Sequence, residues 1–310
     1  MTAGSSDPGP IDGILLVDKP EGPTSHDVVG VVRRSVGQKR VGHAGTLDPA
    51  ASGLLVLLLG RATRLADAHS GAVKRYEVVV ELGTSTATGD REGEVTATAE
   101  VPDLGRDVVD RAVAALVGER THTPPAYSAV KVSGRPLYAL ARAGAVLPDV
   151  KSRVITVLEA RLVGWESPRI SIELAVSKGT YVRVLAEELG GSLGLPAHVA
   201  ALRRTGSGPF EVAEAMKLEE IRTGGRDAVL AALVDPVRHA LGLARARVSA
   251  GSLDDVRSGR PLSEDELTWI DAPDDDVLLI AEGRIVAWYR MKEGAFVPRA
   301  VLIAGAGGAA

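Results

Sequence analysis

The 310-residue chain contains no cysteine, which excludes disulfides, thiolate metal sites, iron–sulfur clusters and cysteine nucleophiles together. It also lacks any long apolar stretch. The longest run of large apolar side chains, Leu54 to Leu59, is far short of the roughly 20 residues that span a bilayer. The opening MTAGSSDPGP carries no basic region leading into an apolar one, so no secretory signal is read there. A soluble, cytoplasmic, monomeric protein is the expectation. Nucleotide and metal signatures are missing too. Gly37-Gln38-Lys39-Arg40 lacks the spacing and the hydroxyl residue of a Walker loop, and neither a dinucleotide fingerprint nor HExxH occurs. The histidines at 26, 43, 69, 122, 198 and 239 include no pair at metal-ligand spacing. No metal and no cofactor is therefore expected.

The composition that is present, 45% apolar and 25% charged, is that of a chain with a real core. At about 150 residues per domain its length suggests two domains. Net charge is −4, yet the charges are segregated. Val31 to Arg75 holds eight basic residues against Asp48 and Asp67, and Arg120 to Arg153 holds six against Asp149 alone. Of the 36 basic side chains 28 are arginine, the residue that forks onto phosphate and stacks on bases. Two basic segments in an acidic protein point to a polyanionic partner.

Residues 1–10 and 304–310 are small, polar or glycine-rich and are expected to be disordered tails. Ile11 to Asp18 reads as a buried strand, and Thr24 with Asp27 forms a capping box opening a helix through Val36. Gly53 to Leu59 fits a central strand and Arg61 to His69 a helix. Tyr76 to Leu82 and Gly93 to Ala97 read as the arms of one long hairpin. Asp107 to Val117 and Pro136 to Ala143 are expected helices, and Arg153 to Leu162 and Ile170 to Ser177 expected strands. Thr180 is expected to cap a helix that stops at Gly190 and Gly191. Strands dominate with helices interspersed irregularly, which favours an α+β architecture over a doubly wound repeat. From Gly242 onward short β segments separated by glycine turns suggest a small β-barrel or sandwich, with a boundary near 236–246.

Two places could carry chemistry. Arg40 to Gly53, RVGHAGTLDPAASG, is a tight loop before a buried strand, and Pro49 biases Asp48 toward extended backbone. A carboxylate there either satisfies backbone amides as an Asx-turn or is presented to a ligand. Ser177 to Arg183, SKGTYVR, is either an ordinary strand-to-helix turn or a device presenting Tyr181 and Arg183.

At these residues the chain resembles the bacterial tRNA pseudouridine-55 synthases of the TruB type. The resemblance runs through LLVDKPEGPTSHDVV (15–29), KRVGHAGTLDPAASGLLVLLLGRATRL (39–65), YEVVVELGTSTATGDREGEV (76–95), PPAYSAVKVSGRPLYALARAG (124–144), SKGTYVRVLAEELG (177–190) and HVAALRRTGSGPF (198–210). It weakens from about Leu218, beyond which the chain is loosely similar to a PUA-type RNA-binding module. The resemblance implies a pseudouridine synthase fold: a mixed, largely antiparallel central sheet flanked by helices and loops. It places the catalytic domain at 11–240 and a small β-rich PUA-like domain at 241–303. It implies that Asp48 is the essential aspartate acting on the ribose side of the uridine. His43 would help open the T loop, and Tyr76 would stack on the uracil. Tyr181 and Arg183 would form an active-site pair whose arginine partners the catalytic carboxylate, and Leu202 would be an apolar pocket wall. Lys19 and Pro20 would be structural. The implied partner is the T stem-loop of tRNA, whose uridine 55 is flipped out and isomerised.

The chemistry is consistent with these absences. Turning a uridine into its C-linked isomer breaks N1–C1′ and forms C5–C1′, so electrons balance without a redox partner or phosphate donor. Two other classes stay open at this point. A non-catalytic tRNA-binding or RNA-folding protein would use the same basic surfaces but would not need a carboxylate facing an anion. A glycoside hydrolase needs a second catalytic acid, and no comparable motif supplies one.

Overall fold

The computed structural model describes residues 9–128, 130–132, 134–145, 148–234 and 242–303. The expected domain boundary at 240/241, most of the amino-terminal tail and the tail 304–310 fall outside them. The chain forms two compact units that cut across its linear order. The first comprises Met1–Asp48, Gly53–Ala72 and Gly208–Ala310, and the second Pro49–Ser52 and Val73–Ser207.

In the first unit, strand Gly13–Lys19 runs antiparallel to Ala51–Leu59, with Gly13 opposite Leu59 and Lys19 opposite Gly53. Val41–His43 pairs with the far end of the same strand, and Met216–Lys217 adds a short parallel pair beside Val17 and Asp18. Leu54 to Leu59 are all fully buried, which is why this strand reads as an unbroken apolar run and not as an alternation. Helix Ser25–Val36 opens with the expected capping box: Thr24 Oγ1 accepts from the Asp27 amide, and Asp27 accepts in return from the Thr24 amide. The Thr24 hydroxyl, which also donates to the Asp27 carboxyl, and then the Thr24 amide hold that carboxyl below its ordinary range. Gly37, at φ 68°, ends the helix in the left-handed conformation that favours glycine. Arg61 to His69 is helical only at its end. Gly60–Leu65 is a 3₁₀ turn and Ala66–Ser70 a single α turn.

Residues 244–303 belong to this first unit. Strands Leu267–Trp269, Ala244–Val248, Asp276–Ala281, Arg284–Lys292 and Ala295–Val301 form a five-stranded sheet in that order, with one parallel pair. Its two faces have different partners. Val277, Leu279 and Tyr289 close a local core with Val256, Leu262 and Phe296, whereas Leu278, Trp288, Ala300 and Leu302 pack with Ile14, Leu16, Leu54 and Leu58. Arg61 and Arg64 donate to the carbonyls of Leu302 and Val301. The carboxy-terminal sheet therefore completes the core of the amino-terminal strands. Truncation before Ala244 should expose that core. Burial of each large side chain is worth about 1.5–3 kcal/mol, so a fall in Tm of about 10 °C or more is expected in differential scanning calorimetry. A truncated protein that melts like the full chain would contradict this.

The second unit is an antiparallel sheet with a two-helix cover. Lys74–Leu82 lies between Ala197–Ser207 and Arg169–Val176; Arg153–Glu166 and Gly118–His122 follow outward. Val109 and Val113 of helix Arg106–Ala114, and Leu185 and Leu189 of helix Val182–Ser192, close its core over Val78, Val80, Ile170 and Ile172. Three local expectations are corrected here. Val95–Thr98 pairs with the short strand Thr84–Thr86 and not with Tyr76–Leu82, because both neighbours of the latter are long strands from later in the chain. Thr180 does not cap the helix; its hydroxyl donates to the Ser177 carbonyl and Tyr181 is the N-cap residue. The helix also continues through Gly190 and Gly191 to Ser192. A Cβ on Gly190 would lie 2.4 Å from that of Ala197 and 2.7 Å from the Leu195 carbonyl oxygen, so this glycine permits close packing and does not stop the helix.

Candidate active site

The first unit holds the GTLDP loop. Helix Ser25–Val36 begins with a fully enclosed serine whose hydroxyl donates to the Leu47 carbonyl (3.0 Å) and accepts from the Leu47 amide (2.8 Å). Both backbone groups of the residue before Asp48 are thus held by one side chain. Leu47 itself is buried, Gly45 takes φ 116°, and the Ala44 amide donates to Val56. Asp48 follows this anchored residue, half-buried, at the point where the chain leaves the first unit. His43 sits on the short strand before the loop with its ring edge-on to His26 at 6.1 Å. Lys19, wholly buried, donates through Nζ to the carbonyls of Pro20 and Pro23. It secures the turn leading to Ser25. Ser25 had no sequence signal beyond its place after the capping threonine.

The second unit holds the other candidate residues. Tyr76 lies on the central strand opposite Leu174 on one side and Arg204 on the other, and Leu202 lies opposite Val78. Directly paired residues share a face, so Tyr76, Leu202 and Arg204 all belong to one side of the sheet. Tyr76 and Leu202 both pack partly buried against its core. Arg204, which sequence reasoning did not single out, is 2% exposed. Its neighbour Lys74 is also buried, and burial first, then the Arg204 and Lys178 cations, lower its ammonium to about 8. The charged form is therefore disfavoured in the fold relative to the unfolded chain. Lys74's contribution to stability should rise as pH climbs from about 8 toward the unfolded value of 10.5. Urea unfolding at pH 7 and pH 10 should show wild type gaining on Lys74→Met. A difference that does not change with pH would contradict the lowered value.

Tyr181 and Arg183 open helix Val182–Ser192. Arg183 is buried, and its guanidinium donates to the carbonyls of Thr88 (2.5 Å) and Tyr127 (2.8 Å). Its Nε lies 3.8 Å from Asp90 Oδ2. Asp90 in turn accepts from the Thr88 hydroxyl and the Glu92 amide. Asp90 was also missed, although TGDREG is turn-like enough to have drawn attention. Glu187 lies one helical turn beyond Arg183, and burial raises its carboxyl while Arg183 partly offsets the shift.

Not every arginine of the two basic segments is available to a polyanion. Arg33, Arg40, Arg61 and Arg64 spend donors on Val41, Thr63, Leu302 and Val301, and Arg120 bonds Leu116, Ala115 and Glu188. Among the described residues no group of three or more histidine, aspartate or glutamate side chains is placed to hold a metal ion. No described helix is long and apolar enough to cross a membrane.

Residues 33–182 match the model of the TruB family pseudouridylate synthase N-terminal domain, and residues 183–242 that of the tRNA pseudouridylate synthase B C-terminal domain. The chain belongs to the TruB family of pseudouridine synthases. It is an isomerase, which sets aside the non-catalytic and glycosidase readings. The synthase is 41% identical over 289 residues to tRNA pseudouridine synthase B of Thermobifida fusca, covering 88% of this chain and 95% of the relative. It is 44% identical over 238 residues to the protein of that name from Geobacillus thermodenitrificans, covering 74% and 78%. Among solved structures, Cbf5 in a Cbf5–Nop10–Gar1 complex superposes with TM-score 0.73 at 24% identity, covering 94% of this chain and 85% of that one. The archaeal box H/ACA Nop10–Cbf5 complex gives 0.71 at 23%, with 94% and 86% covered. At that identity the likeness concerns the α+β fold.

Proposed function

We propose that this synthase isomerises the T-loop uridine at position 55 of tRNA. Asp48 acts at the ribose, the flipped uracil stacks on Tyr76 beside Leu202, and His43 takes up the space the base vacates. Tyr181 and Arg183 complete the active-site pair. Extrusion of a base from a folded loop costs a few kcal/mol, recovered through stacking and backbone contacts. Basic side chains free of the internal bonds described above supply the phosphate contacts. The reaction moves one glycosidic bond from N1 to C5; the C5 proton leaves and N1 gains one, so the chemistry calls for a placed carboxylate and not for a redox group.

The observation that carries the reading is the anchoring of the residue before Asp48. Ser25 holds both backbone groups of Leu47, as a loop must be held if its next carboxylate is to meet an anomeric carbon. Kinship with relatives named tRNA pseudouridine synthase B supplies the substrate class. Carbodiimide mapping of one unmodified tRNA transcript after incubation with the protein tests it. Pseudouridine is expected at position 55 alone, with an isolated T-arm hairpin also converted. Modification elsewhere, or none, would overturn the assignment.

A further inference from the structure

Two side chains outside the machinery just described, His122 buried and Arg153 half-buried, converge on Tyr181. His122 ends the edge strand Gly118–His122 and is wholly inaccessible to solvent. Its Nε2 accepts a hydrogen bond from the Tyr181 amide at 3.0 Å, so its proton resides on Nδ1. Its ring lies parallel to the Tyr181 ring, 4° between planes and 6.0 Å between centroids, an offset-stacked arrangement. Arg153 is the cross-strand partner of His122, and its guanidinium carbon stands 5.3 Å from the centre of the Tyr181 ring, within cation–π range. The Arg153 Nε and Nη2 are buried and make no hydrogen bond among the described residues, so contact with the ring is a principal engagement of this group. The SKGTY turn is shaped to allow it. A Cβ on Gly179 would meet Arg153 Nη1 at 3.0 Å and Cδ at 3.2 Å, and the residue takes φ +84°.

A tyrosine at a helix N-cap is free to rotate about χ1 and χ2 unless something holds it. Here the backbone and the ring are both held, by one strand-paired couple. We propose that His122 and Arg153 are positioning residues for Tyr181, fixing its backbone and ring orientation for the flipped base. This rests on the reading that Tyr181 belongs to the active site.

The test combines single-turnover pseudouridine formation in tRNA with the ring resonances of Tyr181 in the free protein, assigned by Tyr181→Phe. His122→Ala should lower kcat by roughly ten- to a hundredfold, the scale of a small misplacement near the chemistry, with KM for tRNA little changed. His122→Gln, whose amide oxygen can accept from the Tyr181 amide, should recover most of that loss. Arg153→Met, which keeps the stem and drops the cation, should also lower kcat. In a Tyr181→Ala background His122→Ala should cost nothing further. The upfield ring-current shift of Tyr181 should vanish in His122→Ala. An unchanged kcat, full additivity with Tyr181→Ala, or an unshifted ring would each overturn the proposal. Should His122→Ala not fold, His122→Gln and Arg153→Met carry the same comparisons. A wild type that makes no pseudouridine but shows the ring shift would refute the activity reading and leave the positioning geometry standing.

Discussion

Asp48→Asn is expected to abolish turnover while leaving tRNA binding within a few-fold of wild type. The swap is isosteric, and the two bonds that anchor the loop run between Ser25 and the backbone of Leu47, so the variant keeps that anchor while it loses the charge. Removing a group that attacks or deprotonates substrate costs roughly four orders of magnitude or more in hydrolytic enzymes. Filter binding at equilibrium and single-turnover tritium release from C5-labelled tRNA separate the two effects. Residual turnover above about one per cent of wild type would remove Asp48 from the essential role. A large loss of affinity would instead assign it to substrate binding.

The second large effect belongs to Arg183. In Arg183→Met the carbonyls of Thr88 and Tyr127 lose their donors, and Asp90, itself buried, loses the cation 3.8 Å away. Breaking a buried pair from one side costs about 3–5 kcal/mol, and the length of this contact argues for the lower figure. A fall in Tm of about 10 °C is expected, together with loss of turnover. The deficit should depend on pH. Burial raises the Glu187 carboxyl and Arg183 opposes that rise, so without Arg183 the folded-state value climbs further. A raised carboxyl contributes stability below its unfolded value that is lost as pH rises through the folded one. The gap between wild type and Arg183→Met should therefore be wider at pH 8 than at pH 5. Arg183→Lys, with one charge but no fork to reach both carbonyls, should fall between them. A variant that melts within a degree or two of wild type would show that Arg183 is not a part of the framework.

Much of the local structure was legible because it depends on neighbours in sequence. The Thr24–Asp27 capping box, the helix it opens and the glycine that closes it are set within a few residues, and the fully buried strand is visible as six consecutive apolar side chains. The α+β class follows from the irregular order of such segments. The candidate site residues were proposed differently, through long motifs resembling a family, with the RVGHAGTLDP and SKGTY loops flagged by their glycines and proline.

What local reasoning misjudged is where a distant segment decided the outcome. Gly190 reads as a stop, yet Ala197 packs against it and the helix continues. Tyr76–Leu82 reads as half of a hairpin, yet Arg169–Val176 and Ala197–Ser207, far later in the chain, take both of its edges. Arg61 and Arg64 stand in a basic segment, yet carbonyls near residue 302, far away in sequence, engage donors of both.

The sequence by itself determined the strands and helices, the loops that bear the carboxylate and the tyrosine, and membership in a family of uridine isomerases, since propensity, capping and motif are written in adjacent residues. Only the tertiary structure decided that Ser25 anchors the loop of Asp48, that Asp90 faces Arg183, that His122 and Arg153 meet Tyr181, and that residues 244–303 complete the core of the amino-terminal strands. Each of these pairs a donor with an acceptor, or one apolar face with another, across tens to hundreds of residues. Burial makes such pairings obligatory, but no local pattern names the partner.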